Sequence, residues 1–264
     1  MTLCDTFRRQ AIWTWDSLRQ ARDASCQIGE ESLTDFNLLR IRVRHPHEVF
    51  THTFTKPQEA KTGADWEWWF TGPSRQWLGF RIQAKVIDLR TDTFNHLHYR
   101  TTAGAYQSDV LVNNARASRP PRIPVYCLYM NVSNWRALRG ASDCGSYPVT
   151  ARSLGCMLVD ARQIQKLRLA ALARGVHDIL PFATPWHCLV CCNGYATGDL
   201  PARVLAFWKL RQAEPATAES EVSELTDTPP SYINALMRGE LLEPPDDIGL
   251  RTVTVFRELE ETVD

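Results

Sequence analysis

Two short stretches hold residue types that could do chemistry together. Asp65 and Glu67 alternate with Trp66 and Trp68 just after Gly63, and Gln83 and Lys85 alternate with Ile82, Ala84 and Val86 further on. Successive side chains of an extended chain point to opposite faces, so Phe80, Ile82, Ala84 and Val86 share an apolar face while Arg81, Gln83 and Lys85 share the other. On the earlier stretch Asp65 and Glu67 share one face and Trp66 and Trp68 pack away from it. As adjacent strands, the two would bring two carboxylates, an amide oxygen and an ammonium into one cleft. Hard divalent cations prefer oxygen ligands, and such a cation polarises a phosphate and acidifies a bound water. Lys85 is one of five lysines against 25 arginines, and a lysine among apolar neighbours is costly without a partner. The combination suits hydrolysis of a phosphodiester. The plainer alternative is that Lys85 only neutralises Asp65 in a site without activity.

The elements that must hold these residues are readable around them. A helix is expected from Phe7 to Ala24, ended by Gly29, and a second from about Glu30 to Val43 that buries Leu33, Phe36 and Leu39 before Pro46 ends it. Strands follow at 49–54, 65–70 and 78–87, separated by turns at Gly63 and at Gly72-Pro73-Ser74. A helix over 103–117 then leads to a fully apolar strand at 123–130, the pattern of a strand buried on both faces. The order from 30 to 130 is therefore helix, three strands, helix, strand. Further on, a strand is expected at 154–159, a helix from an Asp160 cap to Arg174, a strand at 186–192 and a helix from Asp199 to Leu210. Residues 213–230 read as a linker, followed by a helix at 231–238 stopped by Gly239 and a strand at 252–256.

The strings Glu31-Ser-Leu-Thr-Asp35, Gly63-Ala-Asp-Trp-Glu-Trp-Trp69 and Ile82-Gln-Ala-Lys85, in that element order, resemble the PD-(D/E)xK or restriction-endonuclease-like nuclease superfamily. The likeness is to the branch with Gln in place of the second carboxylate, as in Mrr-type restriction enzymes, and to an uncharacterised bacterial family of such proteins. It spans roughly 28–130. It implies an α/β fold with a mixed sheet flanked by helices within a domain at 1–212, and a C-terminal extension at 213–264. It implies a Mg²⁺- or Mn²⁺-dependent nuclease, with DNA favoured over RNA as the substrate, in bacterial defence or genome maintenance. Carried over by position, Asp65, Gln83, Lys85 and Glu31 form the catalytic set, with Lys85 orienting the attacking water. Asp65, Gln83, the Ala84 carbonyl and Glu31 hold the metal, and Glu67 is a further candidate. Glu30 is adjacent and could hold that role instead of Glu31; Glu31 is favoured because Asp35 and Leu38 recur on its face. Tyr106 and Gln107 lie on the substrate side, as does Arg81 on the polar face. The neutral Gln83 lowers the charge of the site by one unit. In this fold a homodimer serves double-strand cleavage, although no dimer signature is present.

Other candidates weigh less. Glu59 and Lys61 read as a solvated strand end. Trp66, Trp68 and Trp69 could stack on bases, but alternation places at least two in the core. His45, His47, His52, His96 and His98 show no fixed third-ligand spacing. Cys188-x-x-Cys191 beside His187 and Cys192 is half of a zinc pattern whose other half would need Cys144 or Cys156, and a buried strand explains it better. No phosphate-binding Gly-rich loop or nucleophile elbow occurs, which disfavours an NTPase or serine hydrolase. The net charge of zero divides into 27 basic and 17 acidic residues over 1–212 and 3 and 13 over 213–264. A basic body suits a polyanion, and the acidic tail suits docking to a protein partner or simple solvation. With no spanning apolar run and no leader pattern at Met1 to Gln10, a cytoplasmic protein is expected, not a membrane one. Two other functions stay open: a nucleic-acid-binding module without activity on the same fold, and a protein-interaction subunit that docks through its tail.

Overall fold

The computed structural model describes residues 1–54, 63–134, 138, 147–170, 172–191, 197–211, 224–240 and 250–260. Glu59, Lys61, Cys144, Cys192 and most of the expected linker lie outside these residues. Helices α1 (Leu3–Asp23) and α2 (Glu30–Arg44) precede strands β1 (Val49–Thr53), β2 (Trp66–Thr71) and β3 (Trp77–Val86). Helix α3 (Gln107–Ala117) then leads to β4 (Ile123–Tyr129). Beyond it come β5 (Cys156–Asp160), α4 (Ala161–Leu169), the short α5 (Val176–Ile179), β6 (Ala183–Pro185), α6 (Leu200–Arg211), α7 (Ser231–Met237) and β7 (Thr252–Arg257). The expected helix–strand order from 30 to 130 is present. The protein is α/β, with one seven-stranded mixed sheet in the order β1-β7-β2-β3-β4-β5-β6.

β2 and β3 are antiparallel with Trp66 opposite Ile82 and Glu67 opposite Arg81, whereas β3 and β4 are parallel with Gln83 beside Tyr126. Helices cover both faces. On the face of Trp68, Phe7 of α1 packs at 5.7 Å. Trp208 of α6 meets Phe80 at 5.4 Å on that face. On the opposite face, α3 reaches Gln83 through Gln107 and α7 reaches Glu67 through Tyr232. Trp66, Trp68 and Trp69 are all buried, so none is available to stack on a base. No helix of the described residues is long and apolar enough to cross a membrane.

Three expectations are corrected. First, α2 buries Leu33, Thr34, Asn37, Leu38 and Ile41, leaving Phe36 51% and Leu39 56% exposed. Apolar residues ring this helix, so periodicity alone did not single out the packed stripe; Thr34 bonding Tyr129 Oη at 2.9 Å and Asn37 bonding Thr14 at 3.0 Å fix it. Second, Trp186–Val190 is a 3₁₀ helix, not a strand. Every residue in it is buried, so there was no alternation to read. Third, β7 is no appendage: it pairs with β1 on one side and β2 on the other.

Candidate active site

Gly63 governs how the chain enters the site. Its φ is +68°, and a Cβ there would lie 2.9 Å from Leu111 N and 3.0 Å from Gln107 O. Only a glycine lets this turn lie against the first turn of α3. Two residues on, the Asp65 N–H donates to Ile82 O at 2.8 Å and its carbonyl accepts from Arg251 N at 2.9 Å. Asp65 is thus held between β3 and the start of β7, at the end of the sheet where β2 begins and β3 finishes.

Its carboxylate is tied to β3. Asp65 Oδ2 accepts from Ala84 N at 2.7 Å and from Gln83 Nε2 at 2.6 Å. Gln83 Nε2 also donates to Ala84 O at 3.0 Å, and Gln83 Oε1 accepts from Gln107 Nε2 at 2.6 Å. Gln107 is the first residue of α3, and its own Oε1 is buried without a partner. Lys85 is buried, with Nζ 3.6 Å from Glu30 Oε1. Glu31 pairs instead with Arg251 at 3.0 Å, and Arg251 also binds Asp35.

The electrostatics follow from this placement. Burial, opposed first by Lys85 and then by the Ala84 N–H, and reinforced by Glu30 and Glu31, pushes the Asp65 carboxyl up to about 6. Negative charge is in surplus where water is partly excluded, a condition that a cation relieves. Gln83 Nε2 fills the point where Asp65 Oδ2 and the Ala84 carbonyl converge. Those oxygens fit a hard cation, which would replace a single N–H donor. Among the described residues no three His, Cys, Asp or Glu side chains group into a metal centre by themselves. The carbonyl and amide oxygens are therefore essential to any such set.

Several assignments change. Glu30, not Glu31, is the helix carboxylate at Lys85: the Glu30 side chain is 33% exposed, whereas that of Glu31 is 79% exposed and turned to Arg251. Glu31 does share a face with Asp35, but it is the face that meets Arg251. Gln83 is beside Asp65 as expected, yet it presents its nitrogen and turns its oxygen to Gln107. Glu67 is not available to a metal. Arg81 Nε and Nη2 donate to its Oε1 at 2.9 and 2.7 Å, with Arg122 Nε 3.1 Å from the same atom. Trp69 Nε1 and Tyr232 Oη donate to Oε2 at 2.9 and 2.6 Å. Burial pushes this carboxyl up, but Arg81, Arg122 and the two hydrogen bonds outweigh it and hold it below the usual carboxylate range. Arg81 belongs to this buried cluster and is removed from the substrate side.

Tyr106 caps α3 between two guanidiniums, with Arg100 Cζ 4.2 Å and Arg168 Cζ 3.9 Å from its ring centre. The Asp109 carboxylate anchors Arg168 at 2.8 Å. Glu30 was the alternative to Glu31, and Arg251 and Tyr126 are the residues not anticipated. These two had no signal in the sequence, because only sheet pairing brings them here. Cys188, Cys191 and His187 are buried beside α1. Cavities of about 690 and 500 Å³ lie elsewhere, and neither is lined by Asp65, Gln83 or Glu30.

The chain belongs to a family of unknown function (DUF6615), which matches residues 3–262 and so takes in α7 and β7 as well as the central strands. No curated protein matches it.

Proposed function

We propose that this protein is a divalent-metal-dependent nuclease of the PD-(D/E)xK type, hydrolysing phosphodiester bonds in nucleic acid, DNA in preference to RNA. The observation that supports the reading best is the meeting of Asp65, Gln83, the Ala84 carbonyl, Lys85 and Glu30 at one end of the sheet, from two strands and the start of a helix. Lys85 exerts the strongest single charge on Asp65. The two therefore act on a common locus, not on opposite faces.

Asp65, the Ala84 carbonyl, the Gln83 amide oxygen and Glu30 are the residues that would hold Mg²⁺ or Mn²⁺. Such an ion, when bound, polarises the scissile phosphate and acidifies water beside it. Asp65 fixes the position by its two bonds to β3. Lys85, held at Glu30 in a largely buried place, carries a fixed ammonium that can orient a nucleophile and balance charge growing on the phosphate. Exposed Arg100, stacked on Tyr106 next to Gln107, can meet a phosphate outside the cleavage point. The surplus of basic residues over 1–212 has the sign that attracts a polyanion.

A second reading, a nucleic-acid-binding module without cleavage, is favoured by one observation: the Lys85–Glu30 pair and the Gln83 N–H close the charged groups on one another. Incubation of purified protein with linear DNA separates the two. The nuclease reading expects degradation that needs Mg²⁺ or Mn²⁺, stops in EDTA and is absent in Asp65→Ala. Salt-sensitive DNA binding with no cleavage under any metal would establish the second reading.

A further inference from the structure

We propose that Gln83 and Gln107 act as a reversible pair of amides, turning over together when a divalent cation binds at Asp65. The turn presents Gln83 Oε1 to the cation and gives Gln83 Nε2 to the buried Oε1 of Gln107. This rests on the metal-binding reading above and adds to it how the site is held ready without metal.

The hydrogen bonds have one direction as they stand. Gln107 Nε2 donates to Gln83 Oε1 at 2.6 Å, and Gln83 Nε2 donates to Asp65 Oδ2 at 2.6 Å and to Ala84 O at 3.0 Å. One buried acceptor is left over, Gln107 Oε1. A buried polar atom without a partner is costly and calls for a reason. Amide oxygen and nitrogen are nearly equal in size, so each side chain can rotate in place. Once both have turned, Gln107 Oε1 receives the Gln83 N–H while Gln107 Nε2 takes the unpartnered place that Oε1 left, and Asp65 Oδ2, Gln83 Oε1 and Ala84 O face one another. Three oxygens facing one another repel unless a positive group stands between them. The reversed arrangement therefore suits a bound cation and the present one suits its absence.

Neither glutamine can turn alone, because two oxygens or two N–H groups would then oppose each other between the side chains. Both are buried, Gln83 to 1% and Gln107 to 8% exposure, so water cannot easily complete a half-reversed pair. Tyr126, next to Gln83 on β4, contributes a buried hydroxyl without a partner on this same face.

The test follows the side-chain amide signals of ¹⁵N-labelled full-length protein during a Mg²⁺ titration, with binding measured in parallel by calorimetry. In the wild-type chain, the Gln83 and Gln107 signals should shift with one midpoint. The nuclear Overhauser contact between the Gln83 amide protons and the Ala84 N–H should be lost. Gln83→Glu is the control, since a carboxylate accepts on both sides and needs no reversal. It should still bind Mg²⁺ while the Gln107 signal stays in place. A Gln107 signal that is static in the wild type, or that moves equally in Gln83→Glu, overturns the paired turn while leaving metal binding intact. If Gln83→Glu fails to fold, the wild-type Overhauser contact decides alone, and its persistence at saturating Mg²⁺ overturns the proposal. Absence of Mg²⁺ binding, or binding unchanged in Asp65→Ala, removes the metal reading and this one with it.

Discussion

Lys85 Nζ stands 3.6 Å from Glu30 Oε1, joining the end of β3 to the first turn of α2 across 55 residues of chain. Both belong to a group centred on Asp65, and among the described residues Lys85 is the only lysine in it. Lys85→Met keeps most of the volume and removes the charge. It should lower DNA cleavage by about 10²- to 10³-fold, the usual loss when one positioned electrostatic group is deleted, while leaving the unfolding midpoint within a few degrees. Cleavage within tenfold of wild type would remove Lys85 from the catalytic set.

Asp65 should cost stability for the sake of function. Its folded pKa of about 6 lies above the ordinary 3.8. The folded protein therefore holds this proton more tightly than the unfolded chain. The stability so gained is complete below about pH 4 and is lost as pH rises through about 6. At neutral pH the bare carboxylate is a burden. Asp65→Asn, whose Oδ1 can take both bonds now made to Oδ2, should stabilise the metal-free protein at pH 7 by about 1 to 3 kcal/mol, at ~1.4 kcal/mol per pKa unit. The gain should shrink toward pH 4. Urea unfolding at the two pH values checks this, and a destabilised Asn variant at pH 7 would contradict it.

Glu67 should behave in the opposite way. It is fully buried, and Arg81 and Arg122 lose their counter-charge without it. Glu67→Gln should cost about 3 to 5 kcal/mol, the usual penalty for breaking a buried ion pair on one side. The stability it confers is present above the ordinary glutamate range and lost as pH falls through its lowered folded value. Denaturant unfolding measures the cost, and calorimetry on the folded variant should show Mg²⁺ affinity within a few-fold of wild type. A variant as stable as wild type but with lost metal affinity would restore Glu67 as a ligand.

Gly63→Ala combines a left-handed backbone with a Cβ 2.9 Å from Leu111 N. It should lower stability by about 1 to 3 kcal/mol, as overpacking does, and weaken cleavage because the turn that delivers Asp65 must shift. Thermal melts followed by circular dichroism, with DNA cleavage on the same samples, check both effects; unchanged values in both would refute the tight packing of this turn on α3.

Truncation after residue 249 should unfold the protein. It removes β7, whose register with β1 and β2 runs from Thr252 to Arg257. Loss of the cooperative thermal transition is expected, and a folded truncation would contradict it.

Strand alternation made much of the site legible. It placed Asp65, Gln83 and Lys85 on one face, and the order of elements from α2 to β4 could be read from turns and apolar runs. It failed where burial is uniform. Trp186–Val190 had no period to distinguish a strand from a 3₁₀ helix, and α2 had apolar residues around its circumference. Pairing distant in sequence was equally hidden. Nothing in Thr252–Arg257 says that it lies between β1 and β2, and without that placement Arg251 could not be seen to hold Glu31 away from the site. Glu67 fell to the same limit: alternation gave its face correctly, but not the two arginines and Tyr232 that enclose it.

Crystals soaked in Mn²⁺ and measured at the manganese edge test the central claim most directly. An anomalous peak is expected within coordination distance of the Asp65 carboxylate and the Ala84 carbonyl, lost in Asp65→Ala. Saturating Mn²⁺ with no peak at that end of the sheet, or a peak there that survives the Asp65→Ala change, would contradict it.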